Sequence, residues 1–113
     1  MASFRNSIPV AALTVLAIFA SVPADAACFE SGIGCTNDHL ISTRALRRLS
    51  CDSLWTVRNT IYDENGYCFK TAKAKAVFDN AGCLYTNASQ VPLNTYERGN
   101  IDRIVKIERD KSC

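Results

Sequence analysis

Apolar side chains recur every three or four positions over residues 51–64, the segment CDSLWTVRNTIYDE. They form two adjacent stripes, Leu54, Val57 and Ile61 on one and Trp55 and Tyr62 on the other. This period predicts an amphipathic helix about 14 residues long. Ser50 or Asp52 can cap its first turn by accepting a free backbone N–H. The Asn65-Gly66 pair predicts its end; this pair also occurs in hairpins, but the flanking period is helical.

Two more helices are predicted further along the chain. Thr71 precedes AKAKAVF, a segment rich in helix-forming residues, which predicts a short helix ending near Asn80. Asn94 and Glu97 have the spacing of a capping box and open a helix that runs to about Arg109. The stripe of this helix consists of Ile101, Ile104, Val105 and Glu108. We expect the two isoleucines and the valine to face the core beside the first helix.

Composition narrows the class of protein. A chain of 113 residues with 48% apolar composition suits one small globular domain. Its net charge of +2, from 13 basic and 11 acidic residues, is too small to indicate binding to nucleic acid or to an anionic membrane surface. Six cysteines indicate export and disulfides. The expected fold is therefore mainly α, a small disulfide-stapled domain of three main helices after a signal peptide and a short cysteine loop.

Residues 1–26 have the features of a signal peptide. Its basic residue, apolar run and small residues lie at Arg5, at 8–20 and at Ala24 and Ala26. Cleavage would make Ala27 the first residue of the mature chain. An uncleaved anchor needs roughly 20 apolar residues, more than this run provides. Lipidation of Cys28 is the other alternative. After cleavage we expect no transmembrane segment, because no later segment is apolar for long enough.

Residues 27–48 form a lead-in before the main domain at 49–113. The run ACFESGIGCTN at 27–37 has two cysteines and two glycines, and we expect a small closed loop that is an appendage to the domain. Residues 39–49 predict one or two helical turns with a basic outer face. The basic residues of that face are Arg44, Arg47 and Arg48. The simplest interpretation is that these side chains face solvent. The alternative is that they bind an anionic polymer.

The cysteines are Cys28, Cys35, Cys51, Cys68, Cys83 and Cys113. Six cysteines permit fifteen connectivities, and sequence alone does not choose among them. Topology ranks three pairs first, Cys68–Cys83, Cys51–Cys113 and Cys28–Cys35. The first brackets the short helix, the second joins the start of the first long helix to the end of the last, and the third remains for the loop. Zinc binding by thiolates is the alternative, but no C-x-x-C motif occurs.

The string WTVRNTIYDENGYCF at 55–69 resembles the YARHG domain, a small extracellular module of bacterial envelope proteins. The resemblance extends over residues 49–110 and includes Phe78, Leu84-Tyr85, Pro92-Leu93-Asn94, Glu97, Asn100-Ile101, Ile104 and Glu108. Residues 62–66 read Tyr-Asp-Glu-Asn-Gly where the family has Tyr-Ala-Arg-His-Gly, so a role of that Arg and His is absent here. The cysteines at 51, 68, 83 and 113 are similar to those of a disulfide-bearing variety from exported alphaproteobacterial proteins.

The sequence offers little for catalysis. A hydrolase needs a nucleophile beside a base, and the single histidine, His39, lies before the main domain. The adjacent carboxylates of Asp63 and Glu64 point in different directions on a helix. Glycine-rich phosphate loops and an HExxH motif are missing from the sequence. We expect a protein that is not an enzyme and has no metal or cofactor.

Arg58 is the most informative polar residue of the first long helix. It lies one turn from Leu54 and one turn from Tyr62, so we expect it to tie this helix to Glu97 or Glu108 of the last one. The alternative is a groove that binds a peptide or a glycan. That groove would be lined by Trp55, Arg58, Tyr62 and Tyr85.

The resemblance implies a compartment and a fold, because the family has no established molecular function. We expect a periplasmic or secreted, noncatalytic binding module, with cell-wall material or an envelope protein as its partner. The alternative from another class is a secreted effector or inhibitor of an enzyme, which suits a small cross-linked domain equally well. A small hydrolase is the third hypothesis.

Overall fold

A computed structural model describes residues 27–29 and 32–113 of the chain. The signal peptide predicted over 1–26 lies outside these residues. The elements in chain order are strand β1 (Cys28–Phe29), strand β2 (Gly34–Cys35), helix α1 (Thr43–Arg47), helix α2 (Cys51–Glu64), helix α3 (Ala72–Val77), a 3-10 turn (Ala88–Gln90) and helix α4 (Thr95–Asp110). The fold is mainly helical, as the sequence predicted.

Side-chain caps fix the starts of these helices. The hydroxyl groups of Ser50 and Thr71 accept backbone N–H groups at the start of α2 and α3, at 3.1 and 3.2 Å. At α4, the Asn94 side chain accepts the N–H of Glu97, whose carboxylate in turn accepts the N–H of Asn94. The predicted capping box is therefore confirmed. Helix α2 ends at Glu64, with Asn65 as its C-cap, and Gly66 follows with a φ of +89° that suits glycine. The Asn65-Gly66 pair therefore closes the helix where the sequence predicted.

Helices α2 and α4 pack antiparallel and are joined at both ends. At one end the Cys51–Cys113 disulfide links the first residue of α2 to the residue three beyond α4. At the other end the Asn65 side chain donates to the Glu97 carboxylate at 2.6 Å. The remaining disulfides are Cys28–Cys35 and Cys68–Cys83. These are the three pairs that the topology of the predicted helices ranked first.

The main core lies between α1, α2 and α4. Its buried members are Ile33, Ile41, Leu46, Leu54, Val57, Ile104 and Ile107. The cysteine loop is part of this core, because Ile33 between its two strands is only 6% exposed. The prediction that this loop is an appendage was wrong. The two strands pair antiparallel in a register that places Cys28 opposite Cys35.

The core face of α4 differs from the predicted stripe. Val105 is 36% exposed, whereas Ile107 is 1% exposed and packs in the main core. The buried positions follow Ile101, Ile104 and Ile107, which stay on one face because helical neighbours recur every three or four residues. Val105 lies about 100° further around the helix, outside that face. The prediction for Val105 was therefore wrong.

A second, aromatic cluster lies between α2 and α3. Phe69, Ala74 and Phe78 are buried there, and Trp55, Tyr62 and Tyr67 pack against them. Helix α3 ends at Val77, three residues earlier than expected. The Asn80 side chain accepts the backbone N–H of Phe69 at 2.8 Å and donates to its C=O at 2.9 Å. These two bonds hold the segment after α3 against the segment before it. Among the described residues, no helix has the length and apolar character needed to cross a bilayer.

Candidate functional site

An ion pair between α2 and α4 organises the surface near the Cys51–Cys113 disulfide. The Arg58 guanidinium donates from Nε to one oxygen of Glu108 at 2.6 Å and from Nη2 to the other at 3.1 Å. The two side chains are 24% and 15% exposed, so water screens the pair only partly. The predicted tie between Arg58 and α4 is confirmed, with Glu108 as the partner. This two-point geometry holds both side chains in one orientation.

Two adjoining cavities, of about 490 and 330 Å³, open on either side of this ion pair. We call them together the α2–α4 cleft. Arg58, Glu108 and Cys113 line both cavities. The larger cavity is completed by Val105, Arg109 and Ser112, and the smaller one by Cys51, Asp52, Trp55 and Lys73. The cleft therefore combines an aromatic ring, an aliphatic side chain and a disulfide with several charged groups.

The Trp55 side of the cleft is formed by α2 and α3. The Lys73 ammonium lies 4.2 Å from the centroid of the Trp55 ring, a cation–π contact. The same ammonium is 3.7 Å from the Asp52 carboxylate, which is 94% exposed. The Trp55 ring also packs on Phe78 at a centroid distance of 5.9 Å. Lys73 thus lies over the Trp55 ring, and its own side chain is largely exposed.

The α4 side of the cleft presents a cation without a side-chain partner. Arg109 is exposed, and its guanidinium makes no hydrogen bond or ion pair with residues 27–29 or 32–113. Val105 lies one turn before it and leaves an apolar surface beside this charge. A ligand with an anionic group next to an apolar group complements this wall.

The structure brings together two of the four residues predicted to line a groove. Trp55 and Arg58 face the same cavity. Tyr62 belongs to the aromatic cluster, where its ring lies 5.6 Å from that of Tyr67. Tyr85 lies beside Gly66, and a β-carbon at that glycine would meet the Tyr85 ring at 3.4 Å. Neither tyrosine is among the residues that line the α2–α4 cleft.

Sequence reasoning missed Lys73 and Arg109 as site residues. Lys73 reaches Trp55 because the Cys68–Cys83 disulfide and the aromatic cluster hold α3 against α2. No local pattern in the sequence contains that contact. Arg109 had a usable signal, since it directly follows Glu108, one of the two proposed partners of Arg58.

The residues at the end of α2 have clear structural contacts. The Asn65 side chain bonds both the Ile61 carbonyl, at 2.7 Å, and the Glu97 carboxylate, at 2.6 Å. Glu97 is 5% exposed and uses its other oxygen in the capping box of α4. Asn65 replaces the histidine of the Tyr-Ala-Arg-His-Gly string, and its amide fastens the end of α2 to the start of α4. In this chain that position supports the fold.

The single histidine lies away from the cleft. His39 Nδ1 is 2.5 Å from Asp38, and both side chains are exposed. The hydrogen bond to Asp38 raises the pKa of His39 above 6.5. All six cysteines are in disulfides, so no thiolate is available as a nucleophile or ligand. Within the described part of the chain, no three acidic, histidine or cysteine side chains are grouped as a metal site.

Comparisons with known proteins identify one family. No curated protein and no solved structure matches the chain significantly. The family model described as the YARHG domain matches residues 33–109. This segment begins at Ile33 of the cysteine loop and includes α1, and the sequence predicted both as parts of the lead-in. It covers well over half of the sequence and contains all four helices except the last residue of α4. The chain therefore belongs to the YARHG domain family.

Proposed function

We propose that the protein is an exported, noncatalytic binding module, and that its binding site is the α2–α4 cleft. The observation that carries this proposal is the guanidinium of Arg109, which has no partner among residues 27–29 and 32–113 and lies on the wall of a cavity of about 490 Å³. A charged group in such a position is ready to pair with a ligand without first breaking an internal contact. The Arg58–Glu108 pair beside it is already fixed, so binding orders few further side chains.

The charges in the cleft indicate the class of ligand. Arg109 supplies a cation that is unpaired among the described residues, and Lys73 adds a second one that is only loosely held by Asp52 at 3.7 Å. Val105 and the Trp55 ring add apolar surface to the cleft. A peptide that carries carboxylates and small apolar side chains complements this arrangement. Such peptides occur as the stem peptides of bacterial cell walls and as acidic segments of envelope proteins.

Several features support a noncatalytic role. Both oxygens of Glu108, a partly buried carboxylate of the cleft, accept hydrogen bonds from Arg58, so neither is directed at the cavity as a base. Ser112 lines the cleft, but the single histidine of the sequence, His39, is paired with Asp38 elsewhere on the surface. A site that offers charged groups, and no nucleophile–base pair among the residues that the structure describes, suits binding.

The three disulfides and the YARHG family support a periplasmic or secreted location. Disulfides persist in oxidising compartments and are rare in the reducing cytosol. In the entropic model, the Cys51–Cys113 bridge, which closes a separation of 62 residues, stabilises the fold by about 4 kcal/mol. A domain of this size depends on such cross-links.

The proposal is tested by titrating the isotope-labelled, disulfide-bonded protein with two probes, a soluble cell-wall stem peptide and hexaglutamate. Binding in the cleft shifts the NMR signals of Arg58, Trp55 and Arg109. Arg109→Gln weakens binding by about fivefold, the usual effect of losing one partly exposed charge pair. Lys75→Gln is the matched control, because this exposed lysine of α3 lies outside the cleft.

The two probes separate the sources of the ligand. Binding of the stem peptide alone indicates the cell wall, and binding of hexaglutamate alone indicates an acidic protein segment. No shift in the cleft with either probe, or equal weakening by both variants, overturns the proposal. Cleavage of a probe that depends on His39, measured by mass spectrometry with His39→Ala, contradicts the noncatalytic role.

A further inference from the structure

Six basic residues meet where α1 packs on α4, on the flank of α4 that faces away from the cleft. We call them the basic face: Arg44, Arg47, Arg48, Arg103, Lys106 and Lys111. Contacts between α1 and the end of α4 bring Arg47, Lys106 and Lys111 together. Arg47 and Lys106 both reach Asp110, at 3.2 and 2.9 Å. Lys111 donates to the Arg47 carbonyl at 3.2 Å, which ties the end of α4 to α1.

Most of the charge on the basic face is not neutralised. Among the described residues, Asp110 is the one carboxylate that pairs with the face. Arg103 and Lys111 donate to backbone carbonyls, and these bonds leave their charges uncompensated. Arg44 and Arg48 are exposed, and neither side chain has a hydrogen bond or ion pair within the described residues. The net charge of +2 is therefore unevenly distributed over the protein, and this flank is strongly positive.

Exposed apolar side chains border this face. Leu40 and Tyr96 are 45% and 46% exposed. Leu40 lies against Gly99 of α4, where an added β-carbon would collide with it. Tyr96 lies three residues before Gly99 and Arg103 four residues after it, so all three are on the same side of the helix. An aliphatic chain and a tyrosine ring thus stand next to the cluster of cations.

We infer that the basic face docks the protein on the surface of an anionic lipid bilayer. Lysine and arginine attract the lipid phosphates, while leucine and tyrosine suit the boundary between headgroups and acyl chains. A dissolved anionic polymer would pair with the cations but offers no apolar phase for Leu40 and Tyr96. The observed combination therefore favours a membrane surface. Docking uses the flank of α4 next to α1, and it leaves the α2–α4 cleft open on the other flank.

Vesicle co-sedimentation of the disulfide-bonded protein tests this inference. We expect binding to phosphatidylcholine vesicles that contain about 30% phosphatidylglycerol and little binding to pure phosphatidylcholine. The double variant Arg44→Gln, Arg48→Gln lowers the partition coefficient by about twentyfold, since each basic residue near the surface contributes roughly fivefold. Lys70→Gln, Lys75→Gln is the matched control, because it removes the same charge from exposed positions outside the basic face.

Tyr96→Ser separates the apolar contribution from the ionic one. It weakens vesicle binding and leaves the salt dependence unchanged, because no charge is altered. Equal losses in the two double variants would attribute binding to net charge and overturn the inference. So would an absence of vesicle binding combined with binding to polyphosphate that depends on Arg44 and Arg48. The latter result would assign the face to an anionic polymer.

Discussion

The side-chain oxygen of Asn100 accepts the backbone N–H of Ile41 at 2.8 Å, across 59 residues of chain. The amide nitrogen of Asn100 donates to the carbonyls of Thr36 and His39, both at 2.9 Å. Asn100 is fully buried, so water does not compete for these bonds. One side chain of α4 therefore satisfies three backbone groups of the segment before α1 and fastens that segment to the helix pair.

Asn100→Leu is expected to destabilise the protein by about 3 kcal/mol. The substitution keeps the size of the side chain but leaves three backbone groups without partners in a buried position. Urea unfolding with intact disulfides measures the loss. Asn87→Leu is the control, because Asn87 is an exposed cap and its loss costs about 1 kcal/mol. Equal losses in the two variants would contradict the role of Asn100.

A double-mutant cycle on Arg58 and Glu108 is expected to give a coupling energy of about 2 kcal/mol. The pair is two-pointed and mostly shielded from water, and removing one partner leaves the other charge poorly solvated. The same cycle on Arg47 and Asp110, which are 48% and 38% exposed, gives less than about 1 kcal/mol. Similar coupling energies in both cycles would mean that the two-point geometry and burial of the Arg58–Glu108 pair do not strengthen it.

Serine replacement of each disulfide is expected to give a graded loss of stability. In the entropic model, the losses are about 4 kcal/mol for Cys51–Cys113, about 3 kcal/mol for Cys68–Cys83 and about 2 kcal/mol for Cys28–Cys35. The order follows the sequence separations of 62, 15 and 7 residues. Thermal unfolding of the three double-serine variants measures it. A larger loss of stability from removing Cys28–Cys35 than from removing Cys51–Cys113 would contradict the entropic model for this protein.

Gly66→Ala is expected to cost more stability than Gly82→Ala. Both glycines have positive φ, +89° and +70°, so both substitutions strain the backbone by about 1 kcal/mol. At Gly66 the new methyl group also meets the Tyr85 ring at 3.4 Å, whereas nothing lies within 4 Å at Gly82. Chemical unfolding of both variants gives the difference directly. Identical costs would show that the ring moves aside freely.

Asp38→Asn is expected to lower the pKa of His39 toward its ordinary value. The hydrogen bond to Asp38 raises this pKa above 6.5, so folding favours the protonated ring. The resulting stabilisation is fully present below about pH 6.5 and is lost as pH rises through the raised pKa of the folded state. NMR titration of the His39 ring measures both values. An unchanged pKa in the variant would remove Asp38 as the cause.

Local patterns were sufficient for the helices and their caps. The capping box of Asn94 and Glu97 and the end of α2 before the Asn65-Gly66 pair depend on contacts within a few residues, and sequence spacing contains those contacts. The position of Val105 depended on how α1 and α2 share the surface of α4. That arrangement is set by packing between distant segments, so the stripe read from α4 alone was shifted by part of a turn.

The candidate site was only partly visible in the sequence for the same reason. Arg58 was identifiable because its helix, its spacing and its two acidic candidates could all be read from the chain. The position of Lys73 over Trp55 depends on the hydrogen bonds between Asn80 and Phe69, which hold the segments on either side of α3 together. No short sequence motif predicts that pairing. The basic face was hidden in another way, because its members lie some 60 residues apart in sequence and become neighbours only when α1 docks on α4.

Helices α2 and α4 are joined at both ends, and this makes their unfolding cooperative. The disulfide at Cys113 and the hydrogen bond between Asn65 and Glu97 leave no free end from which this helix pair can fray. The parts of the cleft wall that α2 and α4 form therefore belong to the most protected unit of the protein, the one that opens only in global unfolding. Conditions that weaken the fold would leave the shape of the cleft intact until the whole domain unfolds.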